Sequence, residues 1–187
     1  MLFLVIDTST ASAQKLIYKV KIDGKESGTL TANKSGKKNT TTYLIKSTIN
    51  TTMLVSVELK YELNATVENG KLKTSSLVQF VNGVKQTDNT TTQKGNIYIF
   101  KDKSGEEKTI STSITTIVPE LYFSEPKNQK SVWSDNYGKF LIIRKESNTY
   151  LLDIGAGQKS IYTYEKGICK KVEATQAFST ITFEIVQ

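Results

Sequence analysis

The strongest constraint on the fold of this 187-residue chain is a regular alternation of apolar and polar residues after Gln14. The alternation is clearest at residues 55–67, where the apolar positions are Val55, Val57, Leu59, Tyr61, Leu63, Ala65 and Val67. Because successive side chains of a β-strand point to opposite faces, this pattern predicts a half-buried strand with one apolar face. At about 3.3 Å per residue the strand spans roughly 40 Å, so we expect it to bend or to twist strongly.

Short turn signals divide the chain into strands that we expect to pair with their neighbours. Asn69-Gly70 and Asn82-Gly83 suit the positive φ angles of tight hairpin turns. Asp23-Gly24 and residues 35–38 carry further turn signals. Two hairpins in succession predict an antiparallel meander.

The remaining alternating segments extend this prediction over the whole chain. The return strand after residue 70 carries the apolar residues Leu72, Val78 and Phe80. The other predicted strands cover residues 16–22, 26–34, 41–52, 96–101, 108–115, 139–144, 150–154, 160–165, 168–174 and 180–185. The sequence therefore predicts a single all-β domain over residues 14–187, with an antiparallel meander that forms a curved sheet or barrel-like structure.

One stretch, residues 117–126, departs from the alternation. Ile117 and Leu121 are four residues apart, which is helical spacing, with Thr116 as the expected N-cap and Pro126 as the stop. Two interpretations stay open: a short helix that plugs one end of the curved sheet, or a lid at the rim of a ligand cavity. The residues predicted to line such a cavity, or else to pack the core, are Tyr122, Phe123, Trp133, Tyr162 and Tyr164.

The composition excludes several kinds of chemistry. The chain has no histidine, so His-dependent catalysis and His-ligated metals are absent, and we expect neither a metal nor a cofactor. Cys169 is the single cysteine and is expected to be a small core residue. The net charge is +7, but Arg144 is the only arginine and the lysines are scattered. Because nucleic-acid recognition favours clustered cations and Arg, we expect no nucleic-acid partner.

The first residues of the chain carry an export signal in our preferred interpretation. Residues 1–6 are apolar, and Ala11-Ser12-Ala13 matches a small-x-small cleavage pattern, so residues 1–13 are predicted to be a truncated signal peptide. The alternative is an ordinary first strand. Cleavage predicts a periplasmic or secreted protein. No later segment approaches the roughly 18 apolar residues of a membrane helix, so we expect no transmembrane segment.

Other candidate sites have simpler explanations. Glu120 and Glu125, with Asp135 or Asp153, offer paired carboxylates of the kind that glycoside hydrolases use. Any chain with 18 acidic residues offers such pairs, so we assign no catalytic residue. Residues 134–138 resemble part of a calcium loop but lack its alternating acids and its distal Glu, so we expect a surface turn there.

Several short motifs together resemble one protein family. They are Leu121-Tyr122-Phe123-Ser124-Glu125-Pro126, Tyr150-Leu151-Leu152, Gly157-Gln158-Lys159, Tyr162-Thr163-Tyr164-Glu165-Lys166-Gly167 and Phe183-Glu184-Ile185. In these motifs the chain is similar to an uncharacterised family of small secreted bacterial proteins, defined only as a domain of unknown function, over residues 14–185. The resemblance implies envelope export and a β-rich fold, and it supplies no activity and no functional residues. By architecture alone, the predicted sheet is also similar to lipocalin-like and lipoprotein-carrier proteins.

Three functions from different classes fit the sequence. The first is a non-catalytic envelope protein whose curled sheet holds a hydrophobic or lipid-like molecule, because small β-barrels either fill themselves with side chains or enclose one small ligand. The second is a structural or protein-interaction module with a filled core and an envelope protein as its partner. The third is an enzyme that uses carboxylates. An outer-membrane barrel shows similar alternation, but the numerous lysines and missing aromatic girdles argue against it.

Overall fold

A computed structural model describes residues 12–52, 56–175 and 179–186. Within these ranges the chain forms fourteen β-strands and one short helix. The strands are β1 Ser12–Ile22, β2 Lys25–Lys37, β3 Thr40–Thr52, β4 Ser56–Glu68, β5 Lys71–Val81, β6 Val84–Lys94, β7 Ile97–Lys101, β8 Glu107–Ile110, β9 Ser131–Ser134, β10 Lys139–Glu146, β11 Thr149–Gly155, β12 Gln158–Glu165, β13 Ile168–Thr175 and β14 Thr180–Ile185. The all-β prediction is confirmed.

The fourteen strands form one antiparallel sheet that curls on itself. Neighbours in sequence pair from β1 to β8 and from β9 to β14, and β1 pairs with β14 to join the two halves. No ladder joins β8 to β9 within the described residues, so the curled sheet is not closed by backbone hydrogen bonds. Side chains cover this seam instead: the rings of Phe100 and Trp133 meet edge to face at 5.9 Å, and Lys108 Nζ donates to the Gly138 carbonyl at 3.3 Å. The architecture is barrel-like.

The alternation seen in the sequence separates the core from the outer face. On β4, Leu63, Ala65 and Val67 are buried, while the intervening residues lie at the surface or are half-buried. The large side chains that are almost fully buried include Trp133, Tyr18, Tyr98, Tyr150, Ile45, Leu63, Leu72 and Leu77. Burying one large apolar side chain stabilises a fold by roughly 1.5–3 kcal/mol, so the curled sheet is held together mainly by its inner face.

The two predicted hairpin turns are present. Asn69 and Gly70 have φ angles of 51° and 72°, and Asn82 and Gly83 have φ angles of 49° and 77°. Positive φ at both central residues is the signature of a type I′ turn, whose twist matches that of the flanking strands. These turns fix the pairing of β4 with β5 and of β5 with β6.

The inward face of β5 switches along the strand. On β5, Leu72 and Leu77 are fully buried, whereas Val78 and Phe80 are only half-buried. The pairing of β4 with β5 shifts between Thr66 and Val67, where β5 carries one extra residue. Because a bulge of one residue reverses the direction of every later side chain, the inward set moves from even to odd positions.

Some strand boundaries also differ from the prediction. The hairpin at Asn82-Gly83 implied a strand at β6, but its bounds were not predicted because β6 is mostly polar. β9 was not predicted, because it has only four residues. β8 ends at Ile110, where the prediction continued to residue 115. β2 continues to Lys37, so the turn before β3 lies at Lys38, which has a φ angle of 54°.

The segment between β8 and β9 crosses one end of the curled sheet. It contains a single 3-10 helix, η1, at Val118–Tyr122, so the predicted helix is present but tighter than an α-helix. The predicted N-cap is wrong: Ile117 takes that position, and its N–H donates to Glu120 Oε2 at 3.2 Å. Thr116 instead accepts a hydrogen bond on its carbonyl oxygen from the Trp133 N–H at 2.9 Å. The segment thus plugs the barrel end near the β12–β13 turn, where Glu125 N–H donates to the Gly167 carbonyl.

Most of the predicted signal peptide lies outside the described residues. Ser12 and Ala13 open β1, opposite Gly36 and Ser35 of β2, so these two residues form strand in the chain as given. Cleavage after Ala13 stays a prediction. Among the described residues, no helix has the length and hydropathy needed to span a membrane.

Candidate functional site

The described residues border an apolar cavity of about 210 Å³ inside the curled sheet. Its walls come from both halves of the sheet and include Leu30, Ile49, Leu59, Leu63, Leu141 and Phe183. Val118 and Tyr122 of η1 form the wall toward the plugged end. An apolar cavity of about 150 Å³ holds a benzene molecule, whereas typical ligand pockets start at about 300 Å³. The cavity therefore suits a small apolar molecule or a short alkyl chain.

Two of the five predicted site residues line this cavity. Tyr122 lies on η1 and Tyr162 on β12, and their rings meet edge to face with their centroids 6.3 Å apart. Burial, reinforced by the neighbouring Tyr122, raises the pKa of Tyr162 well above its ordinary value. Burial also raises the pKa of Tyr122. Both hydroxyls are therefore neutral at physiological pH and can donate or accept a hydrogen bond.

The other three predicted residues pack the core outside the cavity wall. The Phe123 ring contacts Tyr43 at 5.9 Å. The Tyr164 hydroxyl donates to the Leu121 carbonyl at 2.7 Å and so ties β12 to the helix. Trp133 is 1% exposed and packs against Phe140 at 5.3 Å. These three residues shape the plug and the seam.

Asp135 is a lining residue that the sequence did not reveal. The β9–β10 connection was expected to be a surface turn, but Asp135 is only 1% exposed. Its Oδ1 accepts hydrogen bonds from Ser75 Oγ at 2.6 Å, Thr91 Oγ1 at 2.5 Å and Trp133 Nε1 at 3.1 Å. Asn89 Nδ2 donates to the Asp135 carbonyl at 2.8 Å. The inward polar residues of β5 and β6 thus hold this turn inside the barrel.

The electrostatics of Asp135 reflect its burial. Burial raises the pKa of its carboxyl, and the hydrogen bonds from Ser75, Thr91 and Trp133 offset part of that rise. Tyr61 of β4 also lines the cavity. Burial raises the pKa of Tyr61 well above its ordinary value, and Tyr122 and Asp135 raise it further. The cavity is thus apolar over most of its wall, with a carboxyl and tyrosine hydroxyls in one region.

The carboxylates considered for glycoside hydrolysis lie on the other side of the helix. Glu120 and Glu125 border a polar depression at the plugged end. Glu120 binds the Ile117 N–H and lies 3.5 Å from the Tyr43 hydroxyl, while burial raises its pKa. Glu125 Oε1 accepts from the Tyr150 hydroxyl at 2.7 Å. Both side chains hold the plug in place, and this structural role accounts for their positions and hydrogen bonds.

Cys169 and the acidic residues offer no further site. Cys169 is fully buried, and burial raises its thiol pKa to about 12, so the thiolate that nucleophilic chemistry needs does not form at neutral pH. No group of three potential metal-ligating side chains occurs among the residues that the structure describes.

The family of the chain follows from its sequence. The model of a domain of unknown function, DUF6134, matches residues 18–186. The chain belongs to this family. The resemblance seen in the sequence motifs to a family defined only as a domain of unknown function is therefore confirmed. A comparison with curated proteins finds no match.

Solved structures show a distant likeness. The chain is similar to a beta-barrel-like protein of another domain of unknown function, DUF1849, from Brucella abortus. The two are 11% identical, the TM-score is 0.48, and the match covers 92% of this chain and 95% of that one.

Proposed function

We propose that this protein is a non-catalytic, exported binding protein of the cell envelope whose curled sheet holds a small hydrophobic molecule or the apolar end of a lipid-like one. The observation that carries the proposal is the cavity of about 210 Å³, lined mainly by apolar side chains of β2–β4, β10–β12 and β14. Cavities lined by aliphatic and aromatic side chains bind apolar molecules such as benzene. The apolar run and the Ala11-Ser12-Ala13 pattern support the periplasmic or secreted location.

Binding of 1-octanol, followed by titration calorimetry on the full chain, tests the proposal. We expect saturable binding of one molecule per chain. Ser160 of β12 lines the cavity, so Ser160→Phe is expected to fill it and abolish binding. Lys159 is the exposed neighbour on the same strand, and Lys159→Phe is the matched control that should bind like the unaltered protein. Equal binding by the two variants would place the ligand outside the cavity.

The alternative is an interaction module whose interior is filled. It is favoured by the dense packing of the remaining core, where Trp133, Tyr18, Tyr98 and Tyr150 are almost fully buried. This alternative predicts that octanol does not bind saturably and that Ser160→Phe overpacks the filled interior, which lowers stability by about 1–3 kcal/mol. Thermal unfolding of Ser160→Phe, measured beside the calorimetry, separates the two functions.

A further inference from the structure

One of the two carboxyl oxygens of Asp135 has no hydrogen-bond partner among the described residues, although the other accepts three hydrogen bonds. The oxygen that accepts them is Oδ1, and the other oxygen, Oδ2, is buried. Buried polar atoms are nearly always paired, and leaving one unpaired costs about 1–3 kcal/mol. A free carboxyl oxygen on a residue that lines a cavity can therefore take a hydrogen bond from a donor group of a bound molecule.

Three of the neighbours of Asp135 cannot supply this hydrogen bond without losing their own bonds. Ser75, Thr91 and Trp133 each have one donor hydrogen, which points to Oδ1, and Asn89 donates one of its two amide hydrogens to the Asp135 carbonyl. The four side chains come from β5, β6 and β9, so the carboxyl is held by three strands at once. A carboxyl held this rigidly favours a ligand group that arrives with the matching geometry, because neither side has to be ordered on binding.

We propose that Asp135 anchors the polar end of the bound molecule, and that the ligand is a small apolar compound whose single polar group donates a hydrogen bond, such as a primary amine or an alcohol. This inference rests on the proposed function and names the ligand class for that cavity. The apolar part lies against Leu59, Ile49 and Phe183, and the donor group meets Asp135 Oδ2 beside Tyr61. A carboxylate ligand is disfavoured, because it has no hydrogen to donate to Asp135 Oδ2.

A series of eight-carbon compounds tests the inference on the full chain by titration calorimetry. Octylamine and 1-octanol donate a hydrogen bond, octanoate does not, and octyltrimethylammonium carries the positive charge of octylamine without any N–H. We expect octylamine to bind about tenfold to a hundredfold more tightly than octanoate, which is the range of a hydrogen bond to a charged group. We also expect octylamine to bind more tightly than octyltrimethylammonium, because charge alone does not satisfy Oδ2.

Asp135→Asn reverses the polarity of the anchor. The amide oxygen can keep the three bonds on the Oδ1 side, which leaves the amide NH₂ as a donor in the place of Oδ2. In this variant octylamine is expected to lose at least about tenfold in affinity and octanoate to gain. Asp153→Asn removes the same charge from an exposed position beside Arg144 and is the matched control. Its affinities should equal those of the unaltered protein.

The possible outcomes separate the two proposals. If none of the four compounds binds, the proposed function fails. If octanoate or octyltrimethylammonium binds as tightly as octylamine, the cavity binds apolar chains but Asp135 is not the anchor, and only the present inference fails. Should Asp135→Asn not fold, the comparison of octylamine with octanoate and octyltrimethylammonium in the unaltered protein still decides the question.

Discussion

Gly28 of β2 is the position where one methyl group should disturb the sheet most. The pairing of β1 with β2 shifts between Val20 and Lys21, and Gly28 lies opposite Val20 at this bulge. A Cβ atom added to Gly28 would lie 2.1 Å from the Thr48 carbonyl oxygen and 2.9 Å from the Ile49 Cα, both on the backbone of β3. Real Cβ atoms do not approach so closely, so β2 and β3 would have to separate.

The expected effect of Gly28→Ala is large because backbone atoms cannot rotate out of the way. Overpacking typically costs 1–3 kcal/mol, and we expect about 3 kcal/mol in the free energy of unfolding here. For a chain of this size that corresponds to a fall of roughly 6–12 °C in Tm. Urea unfolding followed by the fluorescence of Trp133, the single tryptophan, measures the change.

Gly36 on the same strand provides the control. A Cβ at this position would meet nothing closer than 3.6 Å, and its φ angle is not positive. Gly36→Ala should therefore stabilise the protein by about 0.4–1 kcal/mol, because it restricts the unfolded chain. Equal unfolding midpoints for the two variants would refute the close approach of β2 to β3 on which this reasoning depends.

Three further predictions follow from burial. Cys169 should not react with a thiol reagent at about pH 8 until urea unfolds the protein, because burial raises its pKa to about 12 and excludes the reagent. Leu77→Ala should cost about 2–5 kcal/mol in a urea titration and Val78→Ala clearly less, and the opposite order would contradict the bulge that turns Leu77 inward. Burial raises the pKa values of Tyr18 and Tyr162, so each ionises in the unfolded chain before it does in the native one. The stability that each buried, neutral tyrosine contributes is intact below about pH 10 and falls by about 1.4 kcal/mol per pH unit above it. Tyrosinate absorbance should therefore rise together with the loss of the β-sheet signal in circular dichroism.

The sequence predicted the fold well because its strongest signals are local. The alternation on β4 and the Asn-Gly turns depend on residues adjacent in the chain, and the structure contains both. Features that depend on a partner strand were not predictable. The face of Leu77 is set by a bulge against β4, and the strand character of β6 is set by its pairing with β5 and β7.

The candidate site was only partly accessible to the same reasoning. Tyr122 was found because it lies in the break in the alternation, and Tyr162 because it shares a strand face with Tyr164. Phe123, Trp133 and Tyr164 carry the same signal in sequence, and only their packing shows that they belong to the core. Asp135 was missed because an acidic residue in a short turn is normally solvated. Its burial depends on donors from strands forty or more residues away.

The ladder between β1 and β14 has a consequence for how the molecule assembles. Tyr18 of β1 and Ile185 of β14 are partners in it, so β1 leaves the ribosome long before the strand with which it pairs. Until then one side of β1 offers unpaired N–H and C=O groups, an edge that can recruit a strand from another molecule. Contacts this far apart in sequence also form slowly. The interval between synthesis and the arrival of β14 is therefore the stage at which this protein is most exposed to aggregation and most in need of a chaperone.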